Sequence, residues 1–444
     1  MSPPSPVKPF NFAIVGGGIV GVTLAIALLQ RNIPITIYES AAEFSEIGAG
    51  IAFSANAVRA MALVSPEVTA AYHQCRTQQA DPKRNILSSM KLGDQQKAED
   101  GGRLPHQGQP GRAADDKPID EGIPNPQALA RLLDKAGAGT VHRAHFLKEL
   151  VRLIPPSAIR FGKRLTDVSR AAGPDSDVVL HFADGTTAQH TAVLGCDGIK
   201  SRLRKLLLGS DKWDAVFSGK CAYRGLMPMT KAVEIIGEEA RSGQFYVGHH
   251  GHIVTFPIEK GKTLNVVAFT SRDEWTSPEW VVHVSKEERE ADFSTWEPTS
   301  KAIISAMEGA DIWALFDHPS APTYYNAQSR ICLVGDAAHA STPHQGMGAG
   351  MGIEDCYILA NLIAGAKSME DLNMAFMAYD EVRRPRTQKI VETSREAGRL
   401  WDLELAEDIQ TVRQKLMSRM GWIWGIDLPA ELQRAKAIAG QPTE

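Results

Sequence analysis

Three short glycine–acid sites in this chain could do chemistry, and each follows an apolar run. The first is Gly16-Gly17-Gly18-Ile19-Val20-Gly21, with Glu39 eighteen residues further on. Gly16, Gly18 and Gly21 fall in the G-x-G-x-x-G pattern. Gly16 permits a tight turn, Gly18 lets the backbone approach a pyrophosphate, and Gly21 lets a helix pack on a strand. The helix N-terminus that follows offers N–H groups and a partial positive charge to phosphates. Glu39 can accept both ribose hydroxyls, and its charge would repel a 2′-phosphate. The second site is Cys196-Asp197-Gly198 and the third is Gly335-Asp336-Ala337-Ala338-His339. A fourth candidate is Arg224, in an aromatic-flanked strand (Tyr223 on one side, Gly225 on the other), where a guanidinium can grip a carboxylate or phenolate.

Elements must hold these groups. Asn11–Val15 reads as a buried strand, Val22–Arg31 as a helix and Ile35–Tyr38 as the next strand: one βαβ unit of a dinucleotide-binding fold. Ala55–Met61 reads as helical. From Gln79 to Gly139 the periodicity deteriorates, and residues 93–117 read as an irregular insert. Phe146, Leu147, Leu150, Val151 and Ile154 recur at helical spacing until Pro155-Pro156. Asp177–His190 reads as a hairpin turning at Ala183-Asp184-Gly185. Ala192–Leu194 and Arg330–Val334 read as buried strands that deliver the second and third glycine–acid sites. Segments 221–229, 243–257 and 263–270 suggest a second sheet. Met351–Ala364 reads as an apolar helix, and 372–444 as mostly helical, interrupted by Pro385 and Gly421.

With 444 residues and 43% hydrophobic content, the chain is large enough for two or three modules and is not a disordered type. A net charge of -4 gives no electrostatic case for nucleic acid or an anionic membrane as partner. The five cysteines are scattered without a C-x-x-C, so neither a disulfide scaffold nor a metal site is expected, and a reducing compartment fits. The N-terminus lacks the apolar stretch of a signal peptide, and no apolar run reaches membrane length; the expected location is cytoplasmic.

Taken together, the three glycine–acid sites resemble the fingerprints of the flavin-dependent aromatic hydroxylases, the single-component monooxygenase group that includes salicylate hydroxylase. Gly335-Asp336-Ala337-Ala338-His339 followed by Pro343, Gly346 and Gly348 is the most specific part. Glu46-Ile47-Gly48-Ala49-Gly50, Tyr223-Arg224-Gly225-Leu226 and Val382-Arg383-Arg384-Pro385-Arg386 resemble the fungal salicylate hydroxylases and the related polyketide-hydroxylating enzymes. The resemblance implies an α/β fold: a Rossmann-like FAD-binding domain of the glutathione-reductase type (1–78, 135–205 and 310–385), a mixed β-sheet substrate domain (79–134 and 206–309) and a helical C-terminal segment (386–444).

It also implies roles. Gly16, Gly18, Gly21, Glu39, Gly50, Arg143, Asp197, Gly198, Asp336, Gly346 and Gly348 would hold FAD, with NAD(P)H as co-substrate. Arg224 with Tyr223 would act on the substrate, and Tyr246, His250, His252 and Phe256 could line its pocket. The implied reaction is O₂-dependent hydroxylation of a phenolic ring, led by salicylate-type decarboxylative hydroxylation. The alternatives are hydroxylation or dearomatisation of a polyketide-derived phenol, and an FAD-binding protein without hydroxylase activity. A flavin halogenase is a further reading through Trp422-Ile423-Trp424-Gly425-Ile426, which lies in the wrong part of the chain for it. Two departures stand out: Phe256-Pro257 where many relatives carry Tyr before the Pro, and the irregular 93–117 segment where relatives have strand-like sequence.

Overall fold

The computed structural model describes residues 10–44, 50–78, 90–94, 137–170, 177–309, 311–405 and 408–443. Two sheets organise them. The first has six strands in the order Tyr325–Asn326, Ile331–Leu333, Ala192–Gly195, Phe12–Val15, Ile35–Tyr38, Ile159–Arg160. All neighbours pair in parallel except the Tyr325–Asn326 edge. Phe12, Ala13 and Ile14 are wholly buried, as a central parallel strand with helices on both faces requires. The Ile19–Leu29 helix begins one turn earlier than its apolar pattern suggests, immediately after Gly18. The first and second glycine–acid sites therefore stand side by side at the carboxyl ends of adjacent strands, with Val15 opposite Gly195, and the third follows the next strand, Ile331–Leu333. That edge is where a ligand of an open α/β sheet binds.

The second sheet has seven strands in the order Val281–His283, Asp311–Asp317, Val216–Pro228, Thr263–Ser271, Gly251–Ile258, Gln244–Gly248, Met90–Leu92. The strand-rich 243–257 segment forms two strands joined at His249-His250, where His250 adopts φ 61. Asp311–Asp317 pairs with Val216–Pro228, so the second sheet extends past the expected boundary at 309/310. Met90–Leu92 supplies an edge strand to that sheet. Residues 95–136, most of the expected irregular insert, lie outside the described residues, as do 45–49 with all of the Glu46–Gly50 motif except Gly50.

The C-terminal region departs from its sequence reading. One helix, Met369–Trp401, runs straight through Pro385 and across the expected boundary at 385/386. Proline lacks an N–H and ordinarily ends a helix. Here Arg383 and Arg386, flanking it, are anchored to Glu354 and Asp355 on the neighbouring Gly348–Gly365 helix. Gly421 lies inside the next helix, Ile409–Trp424, and the breaks fall instead after Trp401 and at Gly425.

Candidate functional site

The glycine turn is built for a ligand at one position and for packing at the others. Gly16 has φ 104, and a side chain there would run into the Cys196 carbonyl; one on Gly21 would run into the Gly16 carbonyl. Gly18 differs: a Cβ on it would meet no heavy atom within 4 Å. Nothing in the protein needs that glycine, so the open space above it fits a bound pyrophosphate. The Ile19–Leu29 helix has no side-chain cap and no acidic residue in its first turn, which leaves its N-terminal N–H groups for an anion. Glu39 is fixed beside the turn. Its Oε2 accepts from Gly17 N–H at 2.8 Å and its Oε1 from Ala41 N–H at 2.8 Å.

The third glycine–acid site faces the same edge. Gly335 takes φ 62 and starts a one-turn helix without any side-chain cap, so the Asp336 carboxylate is not its N-cap and stands exposed. A Cβ on Gly348 would lie 3.7 Å from Asp336 Oδ1 and 3.8 Å from Ser341 Oγ, placing Asp336 and Gly348 on one space. Gly346 has φ 66 and opens onto no protein atom within 4 Å. His339 is a buried, packed histidine: its Nε2 meets Asp355 Oδ2 at 2.6 Å.

Behind this loop lies an ionic cluster that the sequence reading did not assemble. Asp355 accepts from Gly335 N–H at 3.2 Å and from Arg383 Nε at 2.8 Å. Glu354 accepts from Arg386 Nε at 2.9 Å and Asn56 Nδ2 at 2.8 Å, and pairs with Arg383 at 2.8 Å. Burial opposes ionisation of Asp355, yet His339 and Arg383 outweigh it and hold the carboxyl down to about 2. The available signal was an acidic pair inside the apolar Met351–Ala364 run, which needs buried cations, together with the Arg383-Arg384-Pro385-Arg386 set.

Asp197 serves the chain itself. Its Oδ1 accepts from Ser201 Oγ at 2.6 Å, and its Oδ2 accepts from Arg202 N–H at 2.8 Å and Leu203 N–H at 3.1 Å. It thereby ties down the turn containing Gly198, whose φ is 73. Arg143 is exposed at the first position of the Arg143–Val151 helix. Gly50 N–H donates to Asn265 Oδ1 at 2.8 Å, and a Cβ there would strike Phe256 at 2.5 Å, so Gly50 ties the two-stranded ribbon of Gly50–Phe53 and Gly139–His142 to the second sheet.

The alternation of the second sheet sorts the remaining candidates. Arg224 is opposite Val267, which is opposite Val254; Ala222 is opposite Phe269, which is opposite His252. Side chains two residues apart share a face, so Arg224, His252 and Phe256 point one way, with Phe245, Phe269 and Trp313. That face meets the loop after Asp336: the His252 and His344 rings are 5.2 Å apart, and Met347 and Met351 pack with Phe245 and Val247.

Tyr223 and Tyr246 point the other way. The Tyr223 hydroxyl donates to Asp292 Oδ2 at 2.7 Å, and both rings belong to a separate apolar cluster with Phe293 and Ile303. The expected Arg224–Tyr223 pairing is therefore corrected by the two-residue period of a strand. His250 is also removed from the pocket: it sits exposed at the hairpin turn, where its backbone N–H bonds the Asp402 carbonyl.

Arg224 is distinctive. Its Nε finds no hydrogen-bond partner, and no carboxylate pairs with it among the described residues. Its guanidinium lies over the Trp313 ring at 5.0 Å. Burial, reinforced by the nearby Arg143 charge, lowers its pKa to about 10, so it remains a cation at neutral pH. Among possible metal donors, His142, His145 and Glu259 come together at the surface beside Arg143; nothing else marks them as a site.

Fold and turns define a class: an α/β flavoprotein with its dinucleotide edge set against a second, mixed sheet. The model of the FAD binding domain family matches residues 146–394. A 6-methylsalicylate 1-monooxygenase of Aspergillus terreus is 38% identical, covering 96% of this chain and 91% of the relative. A salicylate hydroxylase of Pseudomonas putida is 34% identical, covering 98% and 96%. A solved salicylate hydroxylase substrate complex superposes with a TM-score of 0.77 at 30% identity, covering 96% of this chain and 98% of that one. The chain belongs to the FAD binding domain family and is an FAD-dependent monooxygenase. No described helix is long and apolar enough to cross a membrane.

Proposed function

We propose that the protein hydroxylates a phenol bearing a carboxylate, with salicylate-type decarboxylative hydroxylation as the leading reaction. The observation that carries this reading is Arg224: a half-buried guanidinium whose Nε is buried without a partner and which no carboxylate pairs among the described residues, on the face of the second sheet turned toward the loop after Asp336. A partly desolvated cation without a counter-ion keeps its fork free for a carboxylate, which it can grip at two points. Phe256, Phe269 and Trp313 supply apolar walls for the ring, and His252 Nε2, without a partner, is available to its hydroxyl.

In this reading Gly18 would admit the FAD pyrophosphate, with Gly16 and Gly21 shaping the turn, and Glu39 would receive the ribose. Arg143, the Asp197-Gly198 turn and Asp336 would hold the ribityl and phosphate part. Gly346 and Gly348 would offer backbone to the pyrimidine edge. When bound and reduced by NAD(P)H, FAD supplies the oxygen-activating chemistry. The chain's own residues orient the ring and exclude water from the pocket. The test is an assay of NAD(P)H and O₂ consumption with salicylate, 6-methylsalicylate and carboxyl-free phenols. Coupled product formation with CO₂ release for the two acids is expected. Turnover of carboxyl-free phenols alone would favour a polyketide-derived phenol lacking the acid, and no turnover with any of them would remove the reading.

A further inference from the structure

A largely buried set of charges reaches, through His252, the face of the second sheet that carries Arg224. Asp402 closes the Met369–Trp401 helix. Its Oδ1 meets His252 Nδ1 at 2.6 Å, and its Oδ2 accepts from the Lys220 ammonium. Lys220 also donates to Glu404 Oε1 at 2.5 Å and to Ser271 Oγ at 2.7 Å. Leu403, between the two acids, has φ 55, a left-handed conformation unusual for a branched side chain. It lets Asp402 and Glu404 converge on one ammonium. His252, Asp402 and Lys220 are all buried, whereas Glu404 is partly exposed.

The direction of the bonds follows from charge. Burial opposes ionisation of Asp402, but His252 and Lys220 outweigh it and keep its pKa below the ordinary value. An ionised carboxylate only accepts, so His252 Nδ1 carries the proton. Burial lowers the His252 pKa despite Asp402, so the ring is neutral and its Nε2 is an acceptor. That Nε2 has no partner, and neither ring nitrogen of His344 has one among the described residues. The groups facing His252 are Asp402, Lys220 and His344, with the Phe269 ring stacked on it at 4.2 Å.

We propose that Asp402, backed by Lys220 and Glu404, is a positioning residue that locks His252 in the Nδ1–H tautomer so that Nε2 accepts the hydrogen bond of the substrate's ring hydroxyl. This rests on reading the pocket as a phenol site. A second consequence follows for Asp402→Asn. The amide must turn its carbonyl to the Lys220 ammonium. Its NH₂ then faces His252 Nδ1 and drives the ring proton to Nε2, where it opposes a hydroxyl donor.

The experiment uses the ¹⁵N-histidine-labelled, FAD-loaded protein, with the His252 signals identified by comparison with His252→Gln. Wild type is expected as the Nδ1–H tautomer and Asp402→Asn as Nε2–H. An Nε2–H tautomer in wild type, a measurement that needs no variant to fold, overturns the proposal, as does an unchanged tautomer in a folded Asp402→Asn. This arm reads His252 whether or not any phenol is turned over, so it is separable from failure of the functional reading. In parallel, Asp402→Asn should keep its FAD and lose about a hundredfold in kcat/KM for salicylate, chiefly through kcat, with partial recovery in Asp402→Glu. Wild-type kcat/KM in Asp402→Asn would also overturn it.

Discussion

Gly18 and Arg224 show how a single residue can point at an absent partner. Gly18 is a glycine with free space above it. A valine there would fold without internal conflict but occupy the place of the pyrophosphate. Gly18→Val is therefore expected to purify folded and colourless; a yellow variant holding stoichiometric FAD would show that the turn does not hold the cofactor. Arg224 is a half-buried cation that no carboxylate pairs among the described residues. Its planar fork can grip a carboxylate at two points, and an ammonium cannot reproduce that hold. Since a misplacement near 1 Å can cost about a hundredfold, Arg224→Lys should keep FAD while NAD(P)H oxidation slows or diverts to hydrogen peroxide. Full coupling and unchanged kcat/KM, with peroxide measured alongside, would show that Arg224 does not anchor the substrate.

At the scale of elements, the Gly348–Gly365 and Met369–Trp401 helices are joined through charges that lie beneath the third glycine turn. Arg383 is fully buried between Glu354 and Asp355. Removing one partner of such a set leaves uncompensated buried charge and costs about 3–5 kcal/mol. Arg383→Met should therefore lower the urea midpoint and release FAD early, because Asp355 also holds the Gly335 N–H.

The pH dependence follows from the same group. Asp355 has a folded pKa of about 2, below its ordinary 3.8. A depressed pKa stabilises the fold above the ordinary value, and that contribution is lost as pH falls toward 2. With Arg383 gone, the Asp355 pKa rises and the acid-unfolding midpoint should move to higher pH. An acid titration followed by flavin fluorescence reads this, and superimposable curves would deny the cluster its role. The strand Val216–Pro228 carries the complementary lesson. Tyr223 and Arg224 are neighbours in sequence and stand on opposite faces of the sheet, so only Arg224 shares the face that meets the loop after Asp336.

Over the whole molecule, the C-terminal helices pack on the face of the second sheet that carries Arg224 and His252. Trp401 stacks on Phe245 at 4.2 Å with the rings 10° from parallel, and Leu416, Met420 and Ile423 extend the same cluster. A chain ending at residue 401 would lose Asp402 and Glu404 and expose that face of the second sheet. It is expected to aggregate or to hold little FAD, as soluble yield and flavin absorbance would show; a soluble, FAD-replete truncation would make the C-terminal helices dispensable.

The four inner strands of the first sheet, the three glycine–acid turns and the chemical class were legible in the sequence; the two edge strands, Tyr325–Asn326 and Ile159–Arg160, were not. Their signals are local: apolar runs of strand length, glycines at fixed spacing and an acid at a strand end. Sequence distance hid the rest. His252 and Asp402 are 150 residues apart, and Asp355 and Arg383 are 28 apart on two helices; no periodicity connects such pairs. Pro385 reads as a helix breaker because propensity is local, whereas the ion pairs on either side of it are tertiary. The choice between Tyr223 and Arg224 waited for the same reason: strand period puts them on opposite faces, but only packing against the loop after Asp336 makes one of those faces the pocket.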